Sequence, residues 1–123
     1  MTIIKFYGAQ NCSSCQKAFK FLVNHRYVVD RVDIFSTPPT RAEMERMLEI
    51  HNGNIRVLFN TAGRVYQENN LKEKIPTMTK DQAFDMLSKN GRLVKRPFIL
   101  FEKDGKKQGL VGFDPKEWKK ALE

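Results

Sequence analysis

The spacing of apolar residues changes along the chain, and its first third combines strand and helix patterns. The run "IIKFY" at residues 3–7 is short, β-branched and aromatic, which predicts a buried strand ending at a glycine. In "CQKAFKFLVNH", Ala18, Phe21 and Leu22 recur at helical spacing, and the polar residues 11–14 can cap the helix start. A second β-rich run, "YVVDRVDIF", completes a β-α-β unit, for which we expect parallel strands and a right-handed crossover.

The middle of the chain has the apolar period of helices. In "TPPTRAEMERMLEIHNG", Thr40 and Glu43 form a capping box, and Gly53 can close the helix. The stretch "TMTKDQAFDMLSKNG" repeats the capping-box spacing and stops at Gly91, which predicts another helix. The apolar stripes of these two helices consist of Met44, Met47 and Leu48, and of Ala83, Met86 and Leu87.

Between these two helices lies "NIRVLFNTAGRVYQENNLKEK", whose pattern is weaker. Ile55, Leu58 and Phe59 indicate a helical turn, and Gly63 interrupts it. The remainder is consistent with a second short helix, whose boundaries the pattern leaves open.

The last third returns to a strand pattern. "RPFILFEKDGKKQGLVGF" contains two β-rich runs around Asp104-Gly105, a dipeptide that favours a tight hairpin turn. In "DPKEWKKALE", Asp114 is the expected cap, Pro115 the first helical residue and Glu117 the partner in a capping box. The residues of this helix that should face inward are Trp118, Ala121 and Leu122.

This order of elements predicts an α/β fold of the thioredoxin-like class. A β-α-β unit, a helical insert at about residues 40–90 and a closing β-β-α unit give a mixed four-stranded sheet with helices on both faces. The insert is too long to be a loop. We therefore expect one domain over residues 1–123 that carries a small helical cap.

Composition narrows the setting more than the activity. No run approaches the about 18 apolar residues of a membrane span, and the N-terminus does not have the pattern of a signal peptide, so we expect a cytoplasmic protein without membrane contact. The formal charge of +8 comes from 22 basic and 14 acidic residues that are interleaved along the chain. Such a balance fits an acidic partner as well as a solvated surface. We expect a monomer that makes no direct contact with nucleic acid.

The two cysteines, Cys12 and Cys15, follow the first predicted strand in "NCSSC". Cys12 lies at the expected helix start, where free N–H groups and the helix dipole favour its thiolate, so it is the candidate nucleophile. Cys15 lies one helical turn later and is the candidate resolving cysteine. A structural zinc site remains an alternative, although His25 and His51 do not have finger-like spacing and we expect no metal. An inert pair of buried thiols is the other alternative.

The segment "KRPF" opens the predicted hairpin. In a thioredoxin-like fold, this place carries a proline that follows a cis peptide bond, and the backbone there pairs with an extended thiol substrate. We therefore expect a cis bond between Arg96 and Pro97, with Arg96 directing its charge towards Cys12. The alternatives are a trans proline that starts an edge strand, and a surface arginine.

Taken together, "CSSC", the helical insert, "GRLVKRPFIL" and "VGFDPKEW" resemble the arsenate reductase and Spx family of thioredoxin-like proteins. The resemblance covers nearly the whole chain. Proteins similar to these fall into three groups: arsenate reductases that use glutaredoxin and glutathione, regulators that bind RNA polymerase, and related proteins of undefined activity. The resemblance also implies no bound cofactor, with glutathione, thioredoxin or glutaredoxin as the external reductant.

Arginine positions separate these functions. Arsenate reductases of this family hold the oxyanion with three arginines, and Arg96 matches the one that precedes the proline. In "NTAGRVY", Ala62 stands where the second is expected, with Arg64 two residues later, and in "KKQGLVGF" the third position holds Gly109 or Leu110. The loss of two charge-assisted contacts of about 1.5–3 kcal/mol each argues against efficient arsenate reduction. The candidate substrate-binding residues are Pro97, Arg64 and Asn11.

The Spx group fits "CSSC" better, because its members use two cysteines as a redox switch. Gly53 lies near the glycine with which these regulators contact the C-terminal domain of the RNA polymerase α-subunit, so Gly53 and Arg96 are candidate partner-binding residues. A glycine after a helix is also an ordinary C-cap. The sequence therefore favours a cytoplasmic thiol–disulfide oxidoreductase using Cys12, Cys15 and Arg96. A Spx-like regulator is the alternative, and an arsenate reductase proper is a further one.

Overall fold

The computed structural model describes residues 2–123. In chain order its elements are β1 (Ile3–Gly8), α1 (Ser13–Asn24), β2 (Val28–Asp33), α2 (Arg41–Ile50), α3 (Arg64–Glu68), α4 (Leu71–Lys74), α5 (Lys80–Lys89), β3 (Phe98–Lys103), β4 (Lys106–Val111) and α6 (Pro115–Leu122), with 3₁₀ turns at Ile55–Leu58, Ile75–Thr77 and Gly91–Leu93. None of the helices among these residues is long and apolar enough to cross a membrane.

The chain forms two compact units. The sheet unit consists of the chain up to Asp33 together with Arg96–Glu123, and the helical unit is Ile34–Lys95. The helical unit thus begins and ends about five residues outside the insert of about 40–90 that the sequence predicts. Whether the two units fold as one domain stays a prediction.

The sheet unit contains the mixed four-stranded sheet that the sequence predicts, in the order β2-β1-β3-β4. The β1 and β2 strands are parallel, whereas β3 is antiparallel to both β1 and β4. The thioredoxin-like fold class is confirmed. The short connection of residues 9–12 joins the end of β1 to the start of α1, where the two cysteines lie.

Helices α1 and α6 pack on the same face of this sheet. Alternate residues of β1, Ile4 and Phe6, point to this face, as the period of two in a strand requires. The buried cluster between the sheet and the two helices consists of Ile4, Phe6, Cys15, Ala18, Leu22, Ile99, Phe101, Leu110, Trp118 and Leu122. The expectation of helices on the second face stays a prediction.

The hairpin between β3 and β4 turns at the predicted dipeptide. Asp104 and Gly105 both have positive φ, 53° and 75°, as a two-residue hairpin turn requires. At α6, Asp114 accepts the backbone N–H of Lys116, so a simple N-cap replaces the box with Glu117 that the sequence suggests. The turn thus ends β3 and begins β4, and the N-cap begins α6.

In the helical unit, α2 has the predicted capping box of Thr40 and Glu43. Its C-terminus differs slightly from the prediction, because Asn52 is the first residue with positive φ. Gly53 follows it, also with positive φ, and its N–H donates to the carbonyl of Leu48 at 2.8 Å. The pair forms a Schellman ending in which Gly53 is the second residue beyond the cap.

The α5 helix corrects the predicted stripe. Phe84 is buried with Ala83 and Leu87, whereas Met86 is half-buried. A glycine is needed at position 91, two residues after the end of α5, because a Cβ at this position would collide with the backbone carbonyl of Ile34. The weak pattern between α2 and α5 resolves into the Ile55–Leu58 turn and two short helices, α3 and α4, rather than one.

Candidate functional site

Cys12 is the N-cap residue of α1. Its backbone is extended, with φ −124° and ψ 109°, and its Sγ accepts the backbone N–H of Cys15 at 3.2 Å. The carbonyl of Cys12 accepts the N–H of Gln16 at 3.0 Å, which begins the helix. A thiol sulfur thus takes the place usually filled by a serine, threonine or aspartate oxygen. This sulfur therefore pairs with one of the N–H groups that the start of a helix leaves without a partner inside the helix.

Cys15 lies behind Cys12 in the core of the sheet unit. Its exposed fraction is 2%, whereas Cys12 is half-buried. The Cys15 sulfur lies beside Gly8 at the end of β1 and belongs to the same buried cluster as Phe6. Both cysteines are free thiols, so the structure describes the reduced pair. One sulfur is reachable by a substrate and the other is screened.

The surroundings of Cys15 hold it in the thiol form. Burial, followed by its hydrogen bond to the Cys12 side chain, raises the pKa of Cys15 from its ordinary value of 9.0 to about 12. A backbone hydrogen bond from Ala9 and the positive charge of Arg96 act in the opposite direction and lower this pKa. The two cysteines therefore differ in burial, and the surroundings of Cys15 favour its neutral form.

Arg96 and Pro97 belong to the same unit as the cysteines. The peptide bond between them is cis, which is the isomer expected from the fold that the sequence predicts. Pro97 is buried, and its carbonyl accepts the N–H of Gly112 at 2.8 Å. Proline has no N–H, so Arg96 is the residue of this pair whose main chain can donate a hydrogen bond, and Arg96 is half-buried.

Asn11, the third candidate beside the cysteines, lies in the exposed turn directly before Cys12. This turn is tied to α1 through Gln16, whose side-chain amide donates to the carbonyl of Gln10 at 2.8 Å. The position of Asn11 is compatible with contact to a substrate that reaches Cys12. Its role in substrate binding stays a prediction.

Arg64 and Gly53 belong to the helical unit. Arg64 is the first residue of α3, its side chain is 86% exposed, and its Nε lies 3.8 Å from a carboxylate oxygen of Glu68. Gly53 is exposed, and a side chain at this position would meet open space. Both are surface positions of that unit, and their proposed contacts stay predictions.

Sequence reasoning missed the residues that surround the second sulfur. Gly8 was used only as the end of a strand, yet it lies against Cys15 Sγ, and Ala9 supplies a backbone donor to the same sulfur. The available signal was the glycine itself, because a glycine at a strand end often marks a close approach.

Metal ligands are not grouped in the part of the chain that the structure describes. Residues 2–123 contain no cluster of three or more histidine, cysteine, aspartate or glutamate side chains that could hold an ion. His25 stacks on Phe21, with ring centroids 4.1 Å apart, and His51 is the C-cap of α2. Neither histidine therefore gives support to a zinc site.

Comparison with known proteins finds similarity over nearly the whole chain. The model described as "ArsC family" matches residues 7–121. YusI of Bacillus subtilis is 36% identical over 110 residues, which cover 89% of this chain and 90% of YusI. The global transcriptional regulator Spx 1 of Oceanobacillus iheyensis is 29% identical and covers 98% of this chain and 87% of its own. The crystal structure of an ArsC family related protein from Bacteroides fragilis is 37% identical, covers 95% of each chain and has a TM-score of 0.85.

Proposed function

The chain belongs to the ArsC family, and on this premise we propose that it is a thiol–disulfide oxidoreductase in which Cys12 attacks and Cys15 resolves. The observation that carries the proposal is the asymmetric pair. The half-buried Cys12 sulfur receives the N–H of Cys15 at the start of α1, while the Cys15 sulfur is buried. A reactive outer thiol and a screened inner thiol are what a two-step disulfide exchange needs.

In the first step the Cys12 thiolate attacks one sulfur of a substrate disulfide. A bond forms between Cys12 and that sulfur, the substrate S–S bond breaks, and the other substrate sulfur leaves as a thiolate that takes a proton from water. The attacking sulfur lies at the start of α1, where it accepts the backbone N–H of Cys15. Arg96, in the same unit, contributes positive charge and its main chain to hold the substrate.

In the second step Cys15 displaces the substrate from Cys12. Once Cys12 is in a mixed disulfide it carries no charge and is no longer a thiol partner, so two influences that raise the pKa of Cys15 weaken. The Ala9 N–H and Arg96 continue to lower this pKa. Cys15 then loses its proton to water and its sulfur attacks Cys12 Sγ. The bond between Cys12 and the substrate breaks, and the substrate leaves as a thiolate that takes a proton from water.

The reaction leaves a Cys12–Cys15 disulfide, and an external dithiol or two glutathione molecules must supply two electrons to restore the dithiol. We propose glutathione, thioredoxin or a glutaredoxin as this reductant and expect no bound cofactor. A cytoplasmic setting, in which thiols are kept reduced, agrees with the two free cysteines. We further propose that the protein works as a monomer.

The test adds one equivalent of the disulfide 5,5′-dithiobis(2-nitrobenzoate) to the reduced protein and measures the coloured thiol that is released. We expect two equivalents of coloured thiol from the wild type, one from attack by Cys12 and one from closure by Cys15. Cys15→Ser should release one equivalent and retain the mixed disulfide in its mass spectrum, and Cys12→Ser should react slowly. A wild type that releases one equivalent and keeps the adduct would refute the role of Cys15.

A second candidate function is redox-sensitive regulation of transcription. Spx 1 is a relative over nearly the whole chain, and Gly53 is exposed with open space around it. In this function the Cys12–Cys15 disulfide would alter a surface that binds the α-subunit of RNA polymerase. Calorimetry with the isolated C-terminal domain of that polymerase chain tests this function, and binding to the oxidised but not the reduced protein would support regulation. Equal or absent binding in both redox states would leave the oxidoreductase.

A further inference from the structure

We propose that Gly8 is a positioning residue for the resolving cysteine, because the absence of a side chain at position 8 leaves the space that the Cys15 sulfur occupies. This inference rests on the proposed oxidoreductase function and concerns its second step. Gly8 is the last residue of β1 and would not itself contact the substrate or the reacting atoms. It acts on the reaction only through the position of Cys15.

The space around Gly8 is filled on two sides. A Cβ at this position would lie 3.3 Å from Cys15 Sγ and 2.6 Å from Cε1 of Phe6. Phe6 has little freedom to withdraw, because it is 1% exposed and packs edge-on against Phe19. Even one methyl group would therefore press on the Cys15 sulfur and on the Phe6 ring together.

Besides lying next to Gly8, Cys15 is hydrogen-bonded to Cys12 and Ala9. The Cys15 N–H donates to Cys12 Sγ at 3.2 Å, and the Ala9 N–H donates to Cys15 Sγ. A disulfide has narrow limits of S–S length and dihedral angle, so a displaced Cys15 sulfur closes on Cys12 less favourably. Gly8 thus allows the inner sulfur to lie against the main chain and still reach the outer one.

The test compares Gly8→Ala with Gly63→Ala, measured by glutathione redox titration of the Cys12–Cys15 disulfide. Gly63 is the matched control, since neither glycine has a positive φ and a Cβ at Gly63 would also meet a side chain, that of Asn60. We expect Gly8→Ala to lower the stability of the disulfide relative to the dithiol about tenfold, which corresponds to about 30 mV. Alkylation of Cys12 by iodoacetamide should keep its wild-type rate, and Gly63→Ala should match the wild type in both measurements.

A second variant separates a positioning role from a merely structural one. Phe6→Leu removes the ring atom closest to position 8, so Gly8→Ala/Phe6→Leu should fold about as well as Phe6→Leu alone. If Gly8 positions Cys15, the double variant keeps the tenfold loss relative to Phe6→Leu. If Phe6→Leu restores both folding and the disulfide, the role is structural and the proposal is overturned.

The outcomes also separate this proposal from the function on which it rests. An unchanged disulfide in Gly8→Ala refutes the positioning role and leaves the oxidoreductase intact. A wild type that forms no Cys12–Cys15 disulfide at any glutathione ratio refutes both. Should Gly8→Ala alone fail to fold, the comparison of the double variant with Phe6→Leu decides the question.

Discussion

The polar side chains of the sheet unit and of the helical unit differ in their surroundings. In the sheet unit, Cys15 lies in the first turn of α1, where its burial and its neighbours Cys12 and Arg96 alter its pKa. In the helical unit, polar side chains form exposed pairs such as Lys80–Glu45, with an N–O distance of 3.0 Å and side chains 55% and 43% exposed. Exposed pairs of this kind contribute about 0–1 kcal/mol. The helical unit therefore depends for its stability on apolar packing, and the sheet unit contains the cysteine pair of the candidate site.

Matched substitutions in the two units test whether this division extends to folding. Leu22 in α1 and Leu87 in α5 are both fully buried, so Leu22→Ala and Leu87→Ala should each cost about 3 kcal/mol of unfolding free energy. The prediction of one domain requires a single transition in both variants. Thermal unfolding followed by circular dichroism and by the fluorescence of Trp118, the one tryptophan of the chain, measures this.

Non-coincident transitions would contradict the single domain. If Leu87→Ala melts the helical signal while Trp118 fluorescence keeps its wild-type midpoint, the helical unit unfolds independently of the sheet unit. The reverse result for Leu22→Ala would carry the same meaning. Coincident shifts in both probes would show that each leucine stabilises one cooperative structure.

Elements with a regular apolar period and a recognisable end were predictable from the sequence. The α2 helix has both, and so does the hairpin at Asp104-Gly105. The segment from Ile55 to Lys74 has neither, because helices of four or five residues gain little from local propensity and depend on tertiary packing. Phe84 was missed for a related reason, since on an amphipathic helix the choice between adjacent residues depends on the neighbour that covers them.

The site was predictable where residue type alone carries the chemistry. Cys12, Cys15 and the Arg96–Pro97 bond could be named because sulfur, fixed positive charge and proline have few substitutes. Gly8 contributes through the absence of a side chain, which its residue type indicates only in general terms, and Ala9 contributes a main-chain N–H, which its residue type does not indicate. Such contributions depend on distances that only a three-dimensional structure supplies.

The second prediction concerns the alkaline stability of the reduced sheet unit. The pKa of Cys15 is about 12 in the folded protein and 9.0 is its ordinary value, so the folded state retains this proton while the unfolded state loses it. The contribution is complete below pH 9 and is lost as pH rises towards 12. We expect the free energy of unfolding of the wild type, measured with urea, to fall relative to that of Cys15→Ala between pH 9 and pH 12, by at most about 1.4 kcal/mol per pH unit. Parallel pH profiles would show that Cys15 titrates alike in both states.

The third prediction concerns the charge of Arg96. This charge lowers the pKa of Cys15, so Arg96→Gln should raise it further and reduce the thiolate available for closure. We expect release of the second coloured thiol to slow by severalfold at most near pH 8, because Arg96 is the smallest of the influences on this pKa. Arg96→Lys is the control, because it keeps the charge and should retain most of the rate. Equal closure in Arg96→Gln and the wild type would remove Arg96 from the second step.

The smallest effect is expected at Arg64, the candidate substrate residue of the helical unit. Its side chain is 86% exposed and its ion pair with Glu68 is long, so Arg64→Gln should change the unfolding free energy by less than about 0.5 kcal/mol. Disulfide exchange should be unchanged as well, because a disulfide substrate offers no oxyanion for an arginine to hold. Arsenate turnover with glutathione and glutaredoxin, compared with Cys12→Ser, gives the sharper test. Suppose that the wild type turns over arsenate faster than Cys12→Ser, and that Arg64→Gln lowers this turnover about tenfold or more. The helical unit would then take part in the reaction, and the division between the two units would no longer hold.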